Sequence, residues 1–191
     1  MKSTTLKLEK RNEVGGSRAR RLLDHGLIPA VVYGRDMKST AALVKGTDLR
    51  NFLKSNGRSS VFNTEFAEEQ DLSMLIKNIQ YDPVSREIIH LDFQKVNPDE
   101  TVQVNIPVRI IGSESMKNTG NVVIHQQDSI TVKCLPRDIP LHADADISDL
   151  KPGHSFTAGD FRFSSKISLI SKPNKVILTL KGHEHEAAPE A

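Results

Sequence analysis

The stretch VQVNIPVRI, residues 102–110, decides the fold class of this chain. Apolar and polar side chains alternate along it over nine residues. A period of two over that length predicts a strand with one buried face. Pro107 has no N–H to donate to a neighbouring strand, so we expect the strand to lie at a sheet edge or to contain a bulge.

A domain boundary is predicted just before this strand. The sequence NPDE, residues 97–100, combines Pro and Asp and therefore favours a turn or linker. We expect a first domain over residues 1–97 and a second over residues 98–182. Residues 183–191 are small and polar, and they predict a flexible tail.

Short apolar segments between Gly and Pro residues predict further strands in both halves of the chain. In the second half they lie at Val122–His125, Ile130–Leu135, Ile139–Ala143, Ile167–Ile170 and Val176–Leu180. In the first half they lie at Leu6–Lys10, Ala30–Tyr33, Ala42–Val44, Ser60–Phe66, Leu72–Ile79 and Ile88–Phe93. Two segments of the first half, Ser17–His25 and Asp48–Ser55, have helical patterns. The fold class is therefore mainly β with some α, and the second domain is predicted to be an all-β sandwich or small barrel.

Length and composition exclude several classes of protein. The chain has 191 residues, of which 37% are hydrophobic, too many for a wholly disordered chain. No apolar run approaches the roughly 20 residues of a membrane helix, and the first residues lack the apolar core of a secretory signal. The single cysteine, Cys134, cannot form an internal disulfide, which suits a reducing cytosol. Its alternation with Ile130 and Val132 predicts a small buried hydrophobic side chain.

The net charge of +2 is unevenly distributed along the chain. Residues 1–97 contain 16 basic and 12 acidic side chains, a balance of +4, and residues 98–191 contain 10 and 12, a balance of −2. Residues 1–21 alone contain seven basic and two acidic side chains. This bias favours a polyanion site on the first half, although an ordinary solvated basic tail gives the same pattern.

The predicted helix Ser17–His25 has its arginines at the electrostatically unfavourable end. Ser17 is expected to be its N-cap and Gly26 to follow its last turn. Arg18, Arg20 and Arg21 lie near the N-terminus, where each opposes the helix dipole by about 0.3–1 kcal/mol. A bound phosphate would relieve this conflict, because helix N-termini and Arg side chains both bind phosphate. The alternative is a solvated basic face beside an apolar stripe of Ala19, Leu22 and Leu23.

The predicted strand Ile88–Phe93 separates polar from apolar side chains. Strict alternation places Ile88, His90 and Asp92 on the face opposite Leu91 and Phe93. A His beside an Asp can act as a general base, but no nucleophile motif accompanies the pair, which favours a plain surface pair. In the tail, His183 and His185 offer two imidazoles to a metal, an incomplete site that we interpret as a solvated tail.

Four motifs occur in order between residues 11 and 93. They are RRL at 20–22, GLIPAVVYG at 26–34, QYDP at 80–83 and HLDF at 90–93. Together they resemble the bacterial ribosomal protein family that binds 5S rRNA, protein twenty-five of the large subunit. With a second β domain from about residue 98, the chain is similar to the long two-domain form named after a general stress protein, CTC. Residues 102–180 resemble that second domain more loosely, through IPV at 106–108 and CLP at 134–136.

The resemblance implies that the first domain is a small β-barrel with helices, which binds 5S rRNA at an internal loop in a widened minor groove. It also implies a structural constituent of the large ribosomal subunit in the cytoplasm, with no catalysis and no cofactor, which contacts neighbouring rRNA and ribosomal proteins. A monomer is the default expectation for the free protein. Carried over by position, the RNA-binding residues are Arg11, Arg20, Arg21, Tyr33, Lys77, Gln80, His90 and Asp92. The helix argument adds Arg18.

The chain departs from the family pattern at three positions. Leu23 and Tyr81 stand where other members carry basic residues, and Asp24 adds a negative charge beside the arginines. Two alternatives to 5S rRNA binding remain open. One is a module for another RNA class such as tRNA, because the anticodon-recognising part of glutaminyl-tRNA synthetase is similar in barrel fold. The other is a hydrolase that uses His90 and Asp92.

Overall fold

A computed structural model describes residues 6–11, 15–66, 69–113 and 121–182. It divides into two compact units. The first comprises residues 1–104 with 133–141, and the second comprises residues 105–132 with 142–191. The predicted bounds of 1–97 and 98–182 stay a prediction, and the predicted tail at 183–191 lies outside the described residues.

The first unit is a curled six-stranded sheet with two helices. In chain order its elements are β1 (Glu9–Lys10), α1 (Gly16–Asp24), β2 (Leu27–Gly34), β3 (Met37–Lys45), α2 (Gly46–Asn56), β4 (Val61–Phe66), β5 (Glu69–Tyr81) and β6 (Ile88–Lys95). The strand order is β1-β3-β2-β6-β5-β4, in which only the central β2–β6 pair is parallel. The sheet has the shape of a half-barrel. A mainly β first domain with helices is confirmed.

The curl brings the two edges of this sheet together. The Thr64 hydroxyl, on edge strand β4, donates a 2.6 Å hydrogen bond to the carbonyl of Leu6, which precedes edge strand β1. Both groups are buried, so the bond satisfies polar atoms that would otherwise be desolvated without a partner. This contact fixes the concave core of the half-barrel.

Alternating apolar side chains of the strands fill that core. Ala30 and Val32 of β2 and Leu91 and Phe93 of β6 are all 0% exposed. Phe62 of β4 meets the Phe93 ring edge-on, with ring centroids 5.7 Å apart. Because successive strand residues point to opposite faces, burying these side chains turns their neighbours outward.

Helix α1 begins one residue earlier than predicted. Gly15 is its N-cap, with φ 136°, and the carbonyl of Gly15 accepts the first helical hydrogen bond from the Ala19 N–H at 3.0 Å. The prediction of Ser17 as the N-cap was therefore wrong, because Gly15 alone adopts this left-handed backbone without strain. The predicted end was right: Gly26 follows the C-cap His25 with φ 72°.

The second half of the chain is all-β, as predicted. Its strands are β7 (Val102–Ile111), β8 (Val122–His125), β9 (Ser129–Cys134), β10 (Ala143–Asp146), β11 (Ser155–Thr157), β12 (Ser168–Leu169) and β13 (Val176–Lys181). One sheet has the order β10-β7-β9-β12 and another the order β11-β13-β8. Short 3-10 helices lie at Pro136–Asp138 and Ala158–Asp160. Cys134 is 1% exposed, which confirms its prediction as a buried side chain.

Two predictions about the second half need correction. Of the two alternatives predicted for β7, a sheet edge or a bulge, the edge is wrong, because β7 lies between β10 and β9, and the bulge stays a prediction. The lack of an N–H at Pro107 does not disrupt the β10 ladder, since pairing with β10 begins only at Val108. The strand predicted at Ile139–Ala143 begins only at Ala143, as β10. Pro136, which starts a 3-10 helix, and Pro140, which follows that helix, interrupt strand pairing before β10. In the described part of the chain, no helix is long and apolar enough to span a bilayer.

Candidate nucleic-acid interface

The outer face of the six-stranded sheet carries a row of polar and small side chains, which we call the polar face. Its central row crosses four strands and ends at Arg11, the residue after β1. The N–H of Arg11 donates to the Ala41 carbonyl at 2.9 Å, Ala41 pairs with Val31, Val31 pairs with Asp92, and Asp92 pairs with Asn78. Paired residues of neighbouring strands present their side chains on the same face, so this register aligns the row.

A second polar pair lies beside Asp92. Gln80 of β5 faces His90 of β6 directly in the antiparallel register. The Nδ1 atom of His90 lies 3.3 Å from Oδ1 of Asp92, and both side chains are about one quarter exposed, at 27% and 26%. The His90 Nδ1 atom makes no hydrogen bond with correct geometry to any described residue. The structure thus brings Gln80, His90 and Asp92 together, with hydrogen-bonding capacity to spare.

Tyr33 extends the polar face along β2. It pairs with Gln94 of the parallel neighbour β6, one step beyond the row of Asp92. Burial, assisted by the negative charge of Asp92, raises the pKa of the Tyr33 phenol above its ordinary value. The hydroxyl therefore stays protonated at neutral pH, and it can both donate and accept a hydrogen bond.

Lys77, another predicted RNA-binding residue, lies at a bulge of β5 and not in a regular residue pair with β6. Between the pairs Ile76–Phe93 and Asn78–Asp92, β5 contains one residue more than β6, so Lys77 sits at a bulge. Its ammonium donates to the Gln103 carbonyl at 2.5 Å, and burial lowers its pKa below the ordinary value. Asn78 takes the position opposite Asp92 instead.

A second bulge corrects the predicted placement of Ile88. Gln80 pairs with His90 and Tyr81 pairs with Ile88, so Ile89 is the extra residue. The extra residue reverses the alternation, and Ile88 packs against the hydrophobic core instead of sharing the face of His90. The polar face therefore ends at His90.

The exposed arginines of α1 form a separate basic surface, which we call the arginine helix. Arg18, Arg20 and Arg21 are all exposed, whereas Ala19, Leu22 and Leu23 are half-buried. Leu23 packs against the core of the half-barrel. The first turn of α1 contains no acidic side chain. Of the three arginines, only Arg18 lies in the first turn, where it opposes the helix dipole, whereas Arg21 lies in the last turn, where a cation is favoured. The predicted conflict of all three cations with the dipole was therefore wrong for Arg21.

The turn after β5 contains a carboxylate, Asp82, that interacts electrostatically with Arg20 of the arginine helix. The backbone N–H groups of Ser85 and Val84 bond to Oδ1 of Asp82 and hold the pKa of that carboxyl below its usual range. The charge of Arg20 contributes a smaller shift in the same direction. Since Asp82 is two residues beyond Gln80, Arg20 lies near the end of the polar face that carries Gln80 and His90.

Arg11 is the most unusual of the predicted residues. Its Nε and Nη1 atoms are shielded from solvent, and they have no hydrogen-bond partner among the residues that the structure describes. A shielded donor without an acceptor costs about 1–3 kcal/mol, and more when it is charged. An acceptor supplied by a bound molecule would remove this cost.

Two further side chains of the polar face were not among the predicted site residues. Asn78 and Gln94 pair with Asp92 and Tyr33 respectively. The alternation of Asn78 and Gln80 on a predicted strand was the available signal. The described residues contain no group of three or more potential metal ligands, and His183 and His185 lie outside them.

Comparison with known proteins identifies relatives over the whole chain. Residues 6–93 match the Ribosomal L25p family, and residues 101–184 match the C-terminal domain of ribosomal protein TL5. A protein of Dictyoglomus thermophilum named large ribosomal subunit protein bL25 is 32% identical over 100% of this chain and 96% of its own length. A protein of the same name from Halothermothrix orenii is 33% identical over 94% of this chain and 83% of its own. The chain therefore belongs to the Ribosomal L25p family, in a form that also has the TL5-type second domain.

Proposed function

We propose that this protein is a structural constituent of the large ribosomal subunit and binds 5S rRNA through its first unit. Its relatives are named as large-subunit proteins, which supports the ribosomal role. The observation that supports RNA binding most directly is the polar face, bordered by Arg11 with its unpaired guanidinium nitrogens and by the exposed arginine helix. This surface has cations at its borders, and between them it has uncharged donors and acceptors together with the Asp92 carboxylate.

The arginine helix supplies the phosphate contacts in this proposal. Arg18, Arg20 and Arg21 neutralise backbone phosphates, which gives affinity and fixes the position of the protein on the RNA. A phosphate at the N-terminus of α1 also relieves the unfavourable placement of Arg18 in the first turn.

The polar face supplies the selective contacts. A-form RNA presents base edges and 2′-hydroxyls in a wide, shallow minor groove that a flat sheet surface can approach. Gln80, His90 and the protonated Tyr33 hydroxyl donate or accept hydrogen bonds at such edges. The Asp92 carboxylate only accepts, so it favours a base with an exposed amino group, such as guanine, and repels phosphate. An internal loop, where pairing is irregular, offers more such groups than a regular duplex.

The two domains divide the work in this proposal. Residues 1–97 provide most of the 5S rRNA affinity, and residues 98–182 add docking contacts within the assembled subunit. The separate family matches at residues 6–93 and 101–184 support this division. Membership of a structural ribosomal family leaves the hydrolase hypothesis without support, and the protein is not an enzyme. Binding to a tRNA is measured in the same experiment as a test of the alternative partner.

The experiment is a salt titration of the full chain with 5S rRNA, a fully paired RNA of equal length, and a tRNA. We expect tight binding to 5S rRNA alone, weakening as salt rises. The variant Arg20→Ala/Arg21→Ala should weaken binding by about 1–3 kcal/mol and lower the salt dependence on every RNA.

The matched control is Lys38→Ala/Lys54→Ala, which removes the same charge from exposed positions of the first unit outside α1. Equal losses in the two double variants would contradict a specific role for the arginine helix. Equal affinity of the unmodified chain for all three RNAs would contradict 5S recognition, and a preference for tRNA would favour the alternative partner.

A further inference from the structure

The second half of the chain contains a basic segment within an acidic domain. Residues 161–175, which we call the basic segment, contain Arg162, Lys166, Lys172 and Lys175 and no acidic residue. The rest of residues 98–191 contains six basic and twelve acidic side chains. A positive potential is therefore concentrated on one stretch of a domain whose overall charge is −2.

Backbone hydrogen bonds hold the basic segment in a defined conformation. The N–H groups of Ile170 and Ser171 both donate to the Thr131 carbonyl, at 3.0 and 3.1 Å. On its other side, the Gly159 N–H donates to the Pro173 carbonyl and the Ala158 N–H to the Lys175 carbonyl, each at 2.9 Å. These bonds bring the start and the end of the segment side by side, so its charges share one region of the second unit.

Cations of the segment are open to a ligand. Arg162, Lys172 and Lys175 are exposed, and no described carboxylate lies within ion-pair distance of them. The nearest acidic residue in the sequence, Asp160, is already occupied, because its Oδ2 atom accepts hydrogen bonds from the N–H and hydroxyl of Thr157. Arg162, Lys172 and Lys175 are therefore not neutralised by any described carboxylate.

Two aromatic residues of the basic segment, Phe161 and Phe163, flank Arg162 in the sequence. The rings of Phe161 and Phe163 stack at 20°, with centroids 5.8 Å apart, and both side chains are only half-buried. Phe161 is held in turn by the edge of Phe156, at 5.1 Å, and Phe156 is 9% exposed. A fixed pair of part-exposed rings beside cations is the arrangement on which unpaired nucleobases stack.

We propose that the basic segment is a second RNA-binding surface, which takes unpaired nucleotides by stacking a base on Phe163 and neutralising phosphates with Arg162, Lys172 and Lys175. The rings favour RNA over an acidic protein surface, because a carboxylate gains little from an aromatic face whereas a base stacks on it. This surface is independent of the polar face and the arginine helix, and it gives the second domain a contact with RNA of its own.

The test measures binding of a fluorescent oligouridylate of about 12 nucleotides, within the span of one single-strand site. The full chain with Arg20→Ala/Arg21→Ala serves as background, so the first unit contributes little. We expect Lys172→Ala/Lys175→Ala to weaken binding roughly tenfold and to lower the salt slope by about 1.4, or about 0.7 per cation. Phe163→Leu, which keeps an apolar side chain, should weaken binding several-fold and leave the slope unchanged.

The matched control is Lys151→Ala/Lys181→Ala, which removes two exposed lysines of the second unit outside the basic segment. It should change the affinity less than about twofold if the segment is the site. Photocrosslinks from 4-thiouridine should map to residues 161–163.

Three results would overturn the proposal. They are equal losses in the two lysine variants, no effect of Phe163→Leu, or equal displacement of the RNA by a polyglutamate of the same charge. The last would assign the segment to an acidic protein partner. Thermal unfolding of each variant, expected to match that of the background, separates lost binding from lost folding.

Discussion

The polar face and the arginine helix, both in the first unit, are built on different physical principles. Side chains of the polar face are positioned by strand register over a core whose central residues, Val32 and Phe93, are 0% exposed. The arginine helix is held by a half-buried stripe, and its cations extend into solvent. Side chains held in fixed positions can select among bases, whereas exposed charged side chains attract any polyanion. In the proposed complex, selectivity therefore depends on the sheet and affinity on the helix.

The largest expected effect comes from removing the support beneath the polar face. Phe93→Ala deletes a fully buried ring that meets Phe62 and should destabilise the first unit by about 3–5 kcal/mol. Chemical denaturation measures this loss. At low temperature, where the variant remains folded, its preference for 5S rRNA over paired RNA should fall while its salt dependence persists. Val84→Ala, at a position 90% exposed, is the control and should change stability by less than about 0.5 kcal/mol. An unchanged preference in folded Phe93→Ala would break the proposed division of roles.

A smaller effect is expected for Asp92→Asn, which separates the selection of bases from the general attraction to RNA. Asp92→Asn keeps the size of the side chain but removes a charge that accepts hydrogen bonds and repels phosphate. Binding to 5S rRNA should weaken by about 1–3 kcal/mol, and binding to a plain duplex should strengthen slightly. Asp24→Asn, on the exposed surface of α1, is the matched control. It should strengthen binding to both RNAs alike, and fluorescence anisotropy at constant salt tests both variants. If Asp92→Asn also strengthened both alike, Asp92 would have no role in base selection.

The smallest expected effect is on the pH dependence of stability, through Asp82 in the turn after β5. The pKa of Asp82 is lowered in the folded state, chiefly by the N–H groups of Ser85 and Val84. A lowered carboxyl pKa means that its stabilising contribution is present above the unfolded pKa and disappears as the pH falls through the folded value. Asp82→Asn should therefore flatten the acid side of the stability profile below about pH 4, measured by denaturation at a series of pH values. A profile parallel to that of the unmodified chain would show that the turn does not contribute.

Local sequence signals were enough to predict much of the fold and part of the site. The alternation around Leu91 and Phe93 correctly placed His90 and Asp92 on the outer face, and the glycines around α1 marked its ends to within a residue. These features depend on periodicity and on backbone conformations that only glycine adopts easily.

The errors arose where structure depends on distant partners. The bulges at Lys77 and Ile89 depend on how β5 pairs with β6, which the sequence of neither strand shows alone. They place Lys77 outside the regular residue pairs and turn Ile88 towards the core. The unsatisfied guanidinium of Arg11 likewise depends on packing from several strands. The three-residue strand β11 is too short to show a period.

The parallel pairing of β2 with β6 sets an order of events during synthesis. Val31 pairs with Asp92, sixty-one residues later in the chain, so the centre of the sheet cannot form until β6 has been synthesised. A chain that emerges N-terminus first thus exposes Arg11, Arg18, Arg20 and Arg21 well before its selective acceptor is in place. In the proposed complex, the cations that attract RNA are thus synthesised before the polar face that selects it, so selectivity arises only once β6 pairs with β2.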